Sequence, residues 1–104
     1  MKIVIFGIGV AGRAMYRFLK QNHNIVGFVE NNSELHNTLF NNIFIYPVED
    51  IKNLDFDRIA LGGVWLEDMK NQLFRLNIKE EKIWVIDDNL FLYSSENRVK
   101  VTDI

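Results

Sequence analysis

Residues 2–12 read KIVIFGIGVAG. A strand-forming run, Lys2 to Phe6, passes directly into Gly7-x-Gly9-x-x-Gly12. The run is rich in β-branched residues and lacks polar alternation, so it reads as a parallel strand buried on both faces. Beyond it, Val10, Ala11, Ala14, Met15, Phe18 and Leu19 recur at helical spacing, with Arg13, Arg17, Lys20 and Gln21 left for water. This predicts a helix over 10–21, broken by Asn22-His23-Asn24. Ile25 to Val29 is a second strand that contains Gly27 and ends at Glu30. Strand, helix and strand in so short a span make a βαβ unit with a right-handed crossover.

The rest of the chain continues the alternation. Residues 31–42 are polar and turn-like, with one helical turn expected from Ser33 as N-cap. Ile43 to Tyr46 is a short third strand, and Pro47 opens a short helix with Val48, Ile51 and Leu54 on one face. Asp57 to Leu61 is a fourth strand, closed by Gly62-Gly63. A second long helix is predicted over 65–76, with Leu66, Met69, Leu73, Phe74 and Leu76 apolar. Lys82 to Ile86 is a fifth strand, ended by Asp87-Asp88. The expected fold is α/β: a doubly wound, Rossmann-like parallel sheet of order 3-2-1-4-5 with helices on both faces. Residues 1–88 form the expected nucleotide-binding domain. Residues 89–104 are a tail, read either as a hairpin of Leu90–Tyr93 and Val99–Val101 around Ser94-Ser95-Glu96-Asn97 or as the lead into a further domain.

Composition narrows the function classes. The chain has 104 residues, 48% hydrophobic and 25% charged, which suits one globular domain. A net charge of −2 offers no basic field for nucleic acid or an anionic membrane. The absence of cysteine removes disulfides, thiolate nucleophiles and Cys-based zinc sites. No apolar run approaches the ~20 residues that span a bilayer, and the start lacks an h-region with a cleavage site. The expectation is a cytoplasmic protein with no nucleic-acid partner and no membrane insertion.

Three glycines at this spacing have distinct uses. Gly7 lets the chain turn out of the strand, Gly9 lets a pyrophosphate approach the backbone, and Gly12 lets the helix pack closely on the strand. The amides of Val10 and Ala11 open the helix and face a ligand there, with the helix dipole adding positive potential. Glu30 lies 18 residues after Gly12, where an acidic side chain reaches ribose hydroxyls, with Asn31 beside it. Its charge repels a 2′-phosphate, and no Lys or Arg occurs between Lys20 and Lys52, so NAD(H) is favoured over NADP(H). Gly62 and Gly63 end the strand that flanks the switch point, leaving room for a pyrophosphate or sugar; the alternative is a plain turn into the helix. Tyr46 could wall a nucleobase pocket. Trp65 could stack on a base or sugar, or serve the core or an interface, and Arg13 could touch phosphate or remain solvated. The candidate binding set is therefore Gly7, Gly9, Val10, Ala11, Gly12, Glu30, Asn31, Tyr46, Gly62 and Gly63. The competing reading of the same loop is a tight turn that binds nothing.

No catalytic set assembles from the sequence. His23 falls at the far end of the second strand, and His36 lies in the loop above it. Tyr16 and Lys20 spell Tyr-x-x-x-Lys, the proton-transfer pair of short-chain dehydrogenases, but they stand on the wrong helix for that role. Glu49-Asp50 and Asp87-Asp88 read as solvated turns, and no His, Asp and Glu spacing matches a metal site.

The order of phrases KIVIFGIGVAGRAMYRFL, IVGFVENN, NNIFIYPVEDI, DFDRIALGG and LNIKEEKIWVID resembles a known domain type. It is similar to the small Rossmann-like domain at the N-terminus of bacterial sugar O-acyltransferases and N-acetyltransferases. It also looks like the CoA-binding-like nucleotide domain that precedes membrane-linked nucleotide-sugar epimerases and dehydratases. The resemblance covers residues 2–88 and places Gly7, Gly9, Gly12 and Glu30 on ligand-facing positions, with Glu30 replacing the usual Asp. Asn77 stands where Gly is common, at a left-handed helix cap. The resemblance implies a non-catalytic module of surface-polysaccharide or modified-sugar biosynthesis that binds NAD or a nucleotide-sugar. Catalysis would be completed by another domain, and a homodimer is allowed. The alternatives are an NAD(H)-sensing regulatory domain and a ligand-free dimerisation scaffold.

Overall fold

The buried run at the N-terminus is β1 (Lys2–Phe6), the strand around which a mixed sheet is built. The computed structural model describes residues 1–87 in full and the backbone of 91–93 and 98–100. After β1 come α1 (Val10–Leu19), β2 (Asn24–Glu30), β3 (Leu39–Phe40), β4 (Ile43–Pro47), β5 (Arg58–Leu61), α2 (Leu66–Arg75), β6 (Ile83–Ile86), β7 (Phe91–Tyr93) and β8 (Arg98–Lys100). The sheet order is β3-β4-β2-β1-β5-β6-β7-β8.

The five central strands, β4, β2, β1, β5 and β6, run parallel. Antiparallel strands extend both edges: β3 on β4, and β7 on β6 followed by β8. The order of the whole sheet thus differs from the five-strand, all-parallel expectation. The cause at one edge is visible in the backbone. Asn41 and Asn42 both hold positive φ, 50° and 64°, the two-residue reversal that suits a right-twisted hairpin. A stretch that reads as polar loop therefore folds Leu39 and Phe40 back onto Phe44 and Ile43. At the other edge β7 and β8 pair antiparallel and join the same sheet, within the stretch read as a tail or hairpin. Asp88, Leu90, Ser94 to Asn97 and Val101 lie outside the described residues.

Alternating faces of the strands bury two apolar clusters. On one face Ile3, Ile5, Ile25 and Phe28 pack against Met15, Tyr16 and Leu19 of α1. Tyr16, Phe28 and Phe40 form an aromatic triangle there, with ring centroids 5.6–5.8 Å apart. On the other face Val4, Phe6, Val29 and Ile59 pack against Val48, Ile51 and the α2 residue Leu73. Each fully buried Ile, Leu or Phe of this kind stabilises the fold by about 1.5–3 kcal/mol. Residues 48–53 form a 3₁₀ helix rather than an α-helix, entered from Pro47. The turn at Ser33–Leu35 is capped by the Asn32 side chain, which accepts from Glu34 N–H, so Asn32 and not Ser33 is its cap. α1 ends two residues before the expected boundary, with Lys20 as its C-cap.

Chain reversals at the helix ends rest on asparagine as well. Asn77 has φ 64°, and the amides of Asn77 and Ile78 donate to Phe74 O and Leu73 O, each at 3.0 Å. This is a Schellman closure of α2 with Asn in place of glycine. At the opposite end of the sheet, Lys2 N–H donates to Asp57 Oδ2 at 2.7 Å and Asp57 N–H donates to Lys2 O at 2.8 Å. The pair fixes the start of β1 beside β5.

The Lys2 amide holds the Asp57 carboxyl below its ordinary value of 3.8, helped by the Lys2 charge. A carboxyl depressed in the folded state stabilises the fold when ionised. That contribution is complete above the unfolded pKa and is lost as pH falls through the folded one. The urea midpoint should therefore fall on acidification from about pH 4 toward pH 2. Asp57→Asn keeps an acceptor for the Lys2 amide but cannot titrate. Its acid slope should be shallower than wild type when unfolding is followed by circular dichroism.

Candidate functional site

The carboxyl ends of the central strands open onto one cleft of about 790 Å³. The glycine loop forms its floor. β1 delivers Gly7 in a positive-φ conformation (96°), with its amide still bonded to Val29 O at 2.8 Å. Gly9 caps α1 in an extended conformation, and its carbonyl accepts the first helical bond from Arg13 N–H at 3.0 Å. A Cβ on Gly9 would meet nothing within 4 Å, whereas one on Gly12 would lie 2.1 Å from Gly7 O. The two glycines answer different constraints: Gly12 allows α1 to press onto the strand, and Gly9 leaves the space above the loop open.

The two helix N-termini beside the cleft differ in charge. α2 carries Glu67 and Asp68 in its first turn, so its own side chains complement its dipole. α1 has no acidic residue in its first turn and no side-chain cap. Val10, Ala11 and Gly12, whose amides have no intrahelical acceptor, line the cleft. An anion placed there would receive N–H donors and the positive end of the dipole together.

Glu30 reaches over the loop from the end of β2. Its Oε2 accepts from Asn32 N–H at 2.7 Å and its Oε1 from Ile8 N–H at 3.4 Å. An ionised carboxylate offers about four lone-pair sites, so two backbone donors orient it and leave acceptors for a ligand's hydroxyls. Asn31 next to it forms a reciprocal amide pair with Gln72 of α2, at 2.9 and 2.8 Å. That pair joins the end of β2 to α2 along one wall of the cleft.

The cleft brings together Gly7, Gly9, Val10, Ala11, Gly12, Glu30, Asn31, Gly62 and Gly63. Tyr46 does not join them. Its ring packs across β2, where a Cβ on Gly27 would lie 3.0 Å from Tyr46 Cε2, and it contacts Phe44 with centroids 4.7 Å apart. Gly62 lines the cleft, but packing explains why it is glycine: a Cβ there would sit 3.0 Å from Ile86 O and 3.3 Å from Met15 Sδ. Gly63, with φ 92°, makes the turn into α2. Arg13 stays outside the lining, its Nε donating to Gly9 O at 3.4 Å.

The other chemistry-bearing residues sit elsewhere. His36 Nε2 bonds the Glu30 carbonyl. His23 stacks edge-on against Trp84 at 5.6 Å, far from the glycine loop, and burial lowers its pKa. Tyr16 lies in the aromatic triangle with Lys20 over its ring at 5.1 Å. Among the described residues no group of three His, Asp or Glu side chains is placed to hold a metal. No helix of the described residues is long and apolar enough to cross a membrane.

Sequence reasoning passed over Gln72, Asp68 and Met69. Their signal was the spacing of Trp65, Asp68, Met69 and Gln72 along one side of α2, which mixes polar and apolar residues and so departs from a pure core stripe. The charged residues of the cleft are Glu30, Asp68 and Asp87, with no lysine or arginine among its described lining.

A mostly parallel sheet wound by helices on both faces, with a glycine loop between its first strand and helix, defines a Rossmann-like α/β domain. Residues 1–84 match the family described as C2185-like, N-terminal, and the chain belongs to it. No curated protein is matched by the sequence. Among solved structures, UDP-D-quinovosamine 4-dehydrogenase from Vibrio fischeri is similar, with TM-score 0.65 and 21% identity over 82% of this chain and 76% of that one. RSP, a Rex-family repressor, is similar with TM-score 0.61 and 22% identity over 84% of this chain and 45% of that one. RSP in complex with β-NADH matches with TM-score 0.60 at 22% identity, again over 84% of this chain and 45% of that one. The chain thus spans less than half of the repressor. At these identities the likeness is one of fold.

The two glycines should separate in a stability assay. Gly12→Ala forces a Cβ into the Gly7 carbonyl and should destabilise by at least about 1–3 kcal/mol, the range for overpacking. Gly9→Ala meets open space and should change stability by less than about 1 kcal/mol. Urea denaturation of both variants checks the contrast.

Proposed function

We propose that this chain is a binding domain for a diphosphate-linked nucleotide, with NAD the first choice and a nucleotide-sugar the second. The observation that carries the reading is the α1 N-terminus: uncapped, without acidic neighbours in its first turn, and open to the cleft above a glycine with no Cβ. The diphosphate would accept from the amides of Val10, Ala11 and Gly12. Glu30, already oriented by two backbone donors, would accept from ribose hydroxyls. With carboxylates and no cations among its described lining, the cleft favours a ligand whose charge is confined to one diphosphate. A 2′-phosphate would face Glu30.

The binding unit is residues 1–88, not catalytic by itself, and its setting is bacterial surface-polysaccharide or modified-sugar metabolism, where another domain completes the chemistry. The sugar setting draws on the order of sequence phrases and on the fold shared with a UDP-sugar dehydrogenase. A second reading, an NAD(H)-sensing regulatory domain, draws on the fold shared with the Rex-family repressor and uses the same cleft. Sedimentation bears on the choice, because sensors of this kind act as dimers or larger rings. The net charge of −2 favours a small molecule over nucleic acid as partner.

Thermal unfolding with NAD⁺, NADH, NADP⁺ and a UDP-sugar tests the proposal. A ligand at 100 times its Kd adds about 2.7 kcal/mol, a rise in Tm on the order of 10 °C. NAD⁺ should raise Tm more than NADP⁺ at equal concentration. Gly9→Leu should abolish the shift while leaving the ligand-free Tm near wild type. No shift with any of these ligands would leave the ligand-free scaffold as the better reading.

A further inference from the structure

The mouth of the cleft exposes three large apolar side chains: Val10 at 80%, Val64 at 89% and Trp65 at 67%. All three line the cleft, and they come from two elements that meet at the glycine loop. Gly63 swings the chain out at φ 92°, close enough to α1 that a Cβ on it would touch Ala11 Cβ at 3.4 Å. Val64 and Trp65 are thereby held beside the opening of α1.

Two unfavourable features coincide at Trp65. Its indole remains largely in water, although burial of a tryptophan is among the larger apolar gains available to a fold. It also occupies the N-cap of α2, where it makes no side-chain cap bond. Ser, Thr, Asp or Asn at that position would satisfy an open amide. Neither the core nor the helix gains from an indole here. The cleft does: its described lining holds no lysine or arginine, so a bound nucleotide draws there on backbone amides and on ring contact.

We infer that Trp65, flanked by Val10 and Val64, is the stacking wall for a planar heteroaromatic ring of the bound nucleotide. This inference rests on the nucleotide-binding reading of the same cleft and adds the residue that reads the ring. Aromatic faces stack on any base and attract a cationic ring more strongly still. The adenine and the nicotinamide ring share this chemistry, and two ligands tell them apart.

Isothermal titration of wild type, Trp65→Phe and Trp65→Ala with NAD⁺ and with ADP-ribose tests the assignment, with a melting curve for each protein as a fold control. Trp65→Ala should weaken NAD⁺ binding about tenfold or more, and Trp65→Phe should keep most of the affinity. A matching loss with ADP-ribose assigns the wall to adenine, and a loss confined to NAD⁺ assigns it to nicotinamide; either supports the proposal. The intrinsic fluorescence of wild type should be quenched saturably by NAD⁺. In Trp65→Phe the buried Trp84 should not respond. Trp65→Ala binding NAD⁺ within about twofold of wild type would overturn the inference while leaving the parent reading intact. An indole that is shielded by raising protein concentration alone, with no response to NAD⁺, would make this an interface between copies and overturn it too. Failure of wild type to bind either ligand removes the NAD reading of the cleft and overturns this inference with it.

Discussion

The close approach of α1 to β1 governs the rest of the structure. Gly12 lies so near the carbonyl of Gly7 that no side chain fits between them. This contact sets the helix across the end of the central strand and aims its first turn at the cleft. It also brings Met15, Tyr16 and Leu19 onto the face formed by Ile3, Ile5 and Phe28. The packing of one face and the exposure of the helix-opening amides are therefore consequences of one steric constraint.

Charge is distributed around that constraint in a way that separates binding from stability. α2 neutralises its own N-terminus with Glu67 and Asp68, whereas α1 carries no acidic residue in its own first turn. A first turn without an acidic residue forgoes roughly 0.3–1 kcal/mol of stabilisation that one there would supply. The Glu30 carboxylate comes near the loop but is turned onto the amides of Ile8 and Asn32. It thus steadies the glycine loop without filling the space above Gly9.

The central fold was legible because its signals are local. A β-branched run ending at glycine, helical spacing after it and an acidic end to the second strand specify the βαβ unit without reference to the rest of the chain. The edges were less legible. Asn41 and Asn42 read as loop residues, and only their shared positive φ reveals that they turn a hairpin. The site divided in the same way. The glycine loop, Glu30 and Asn31 were visible as a motif. Tyr46 was misplaced because sequence gives the end of a strand but not the face on which a ring lies, and the missing Cβ of Gly27 draws that ring across β2. Gln72 was overlooked because its partner, Asn31, stands 41 residues away.

The most direct measurement of the central claim is an amide-resolved NMR titration of the ¹⁵N-labelled protein with NAD⁺. Saturable shifts should be largest at the amides of Gly9, Val10, Ala11 and Gly12, with smaller ones at Ile8 and Asn32 as Glu30 engages the ribose. Saturable shifts centred on another surface, with the amides at the start of α1 unmoved, would contradict it.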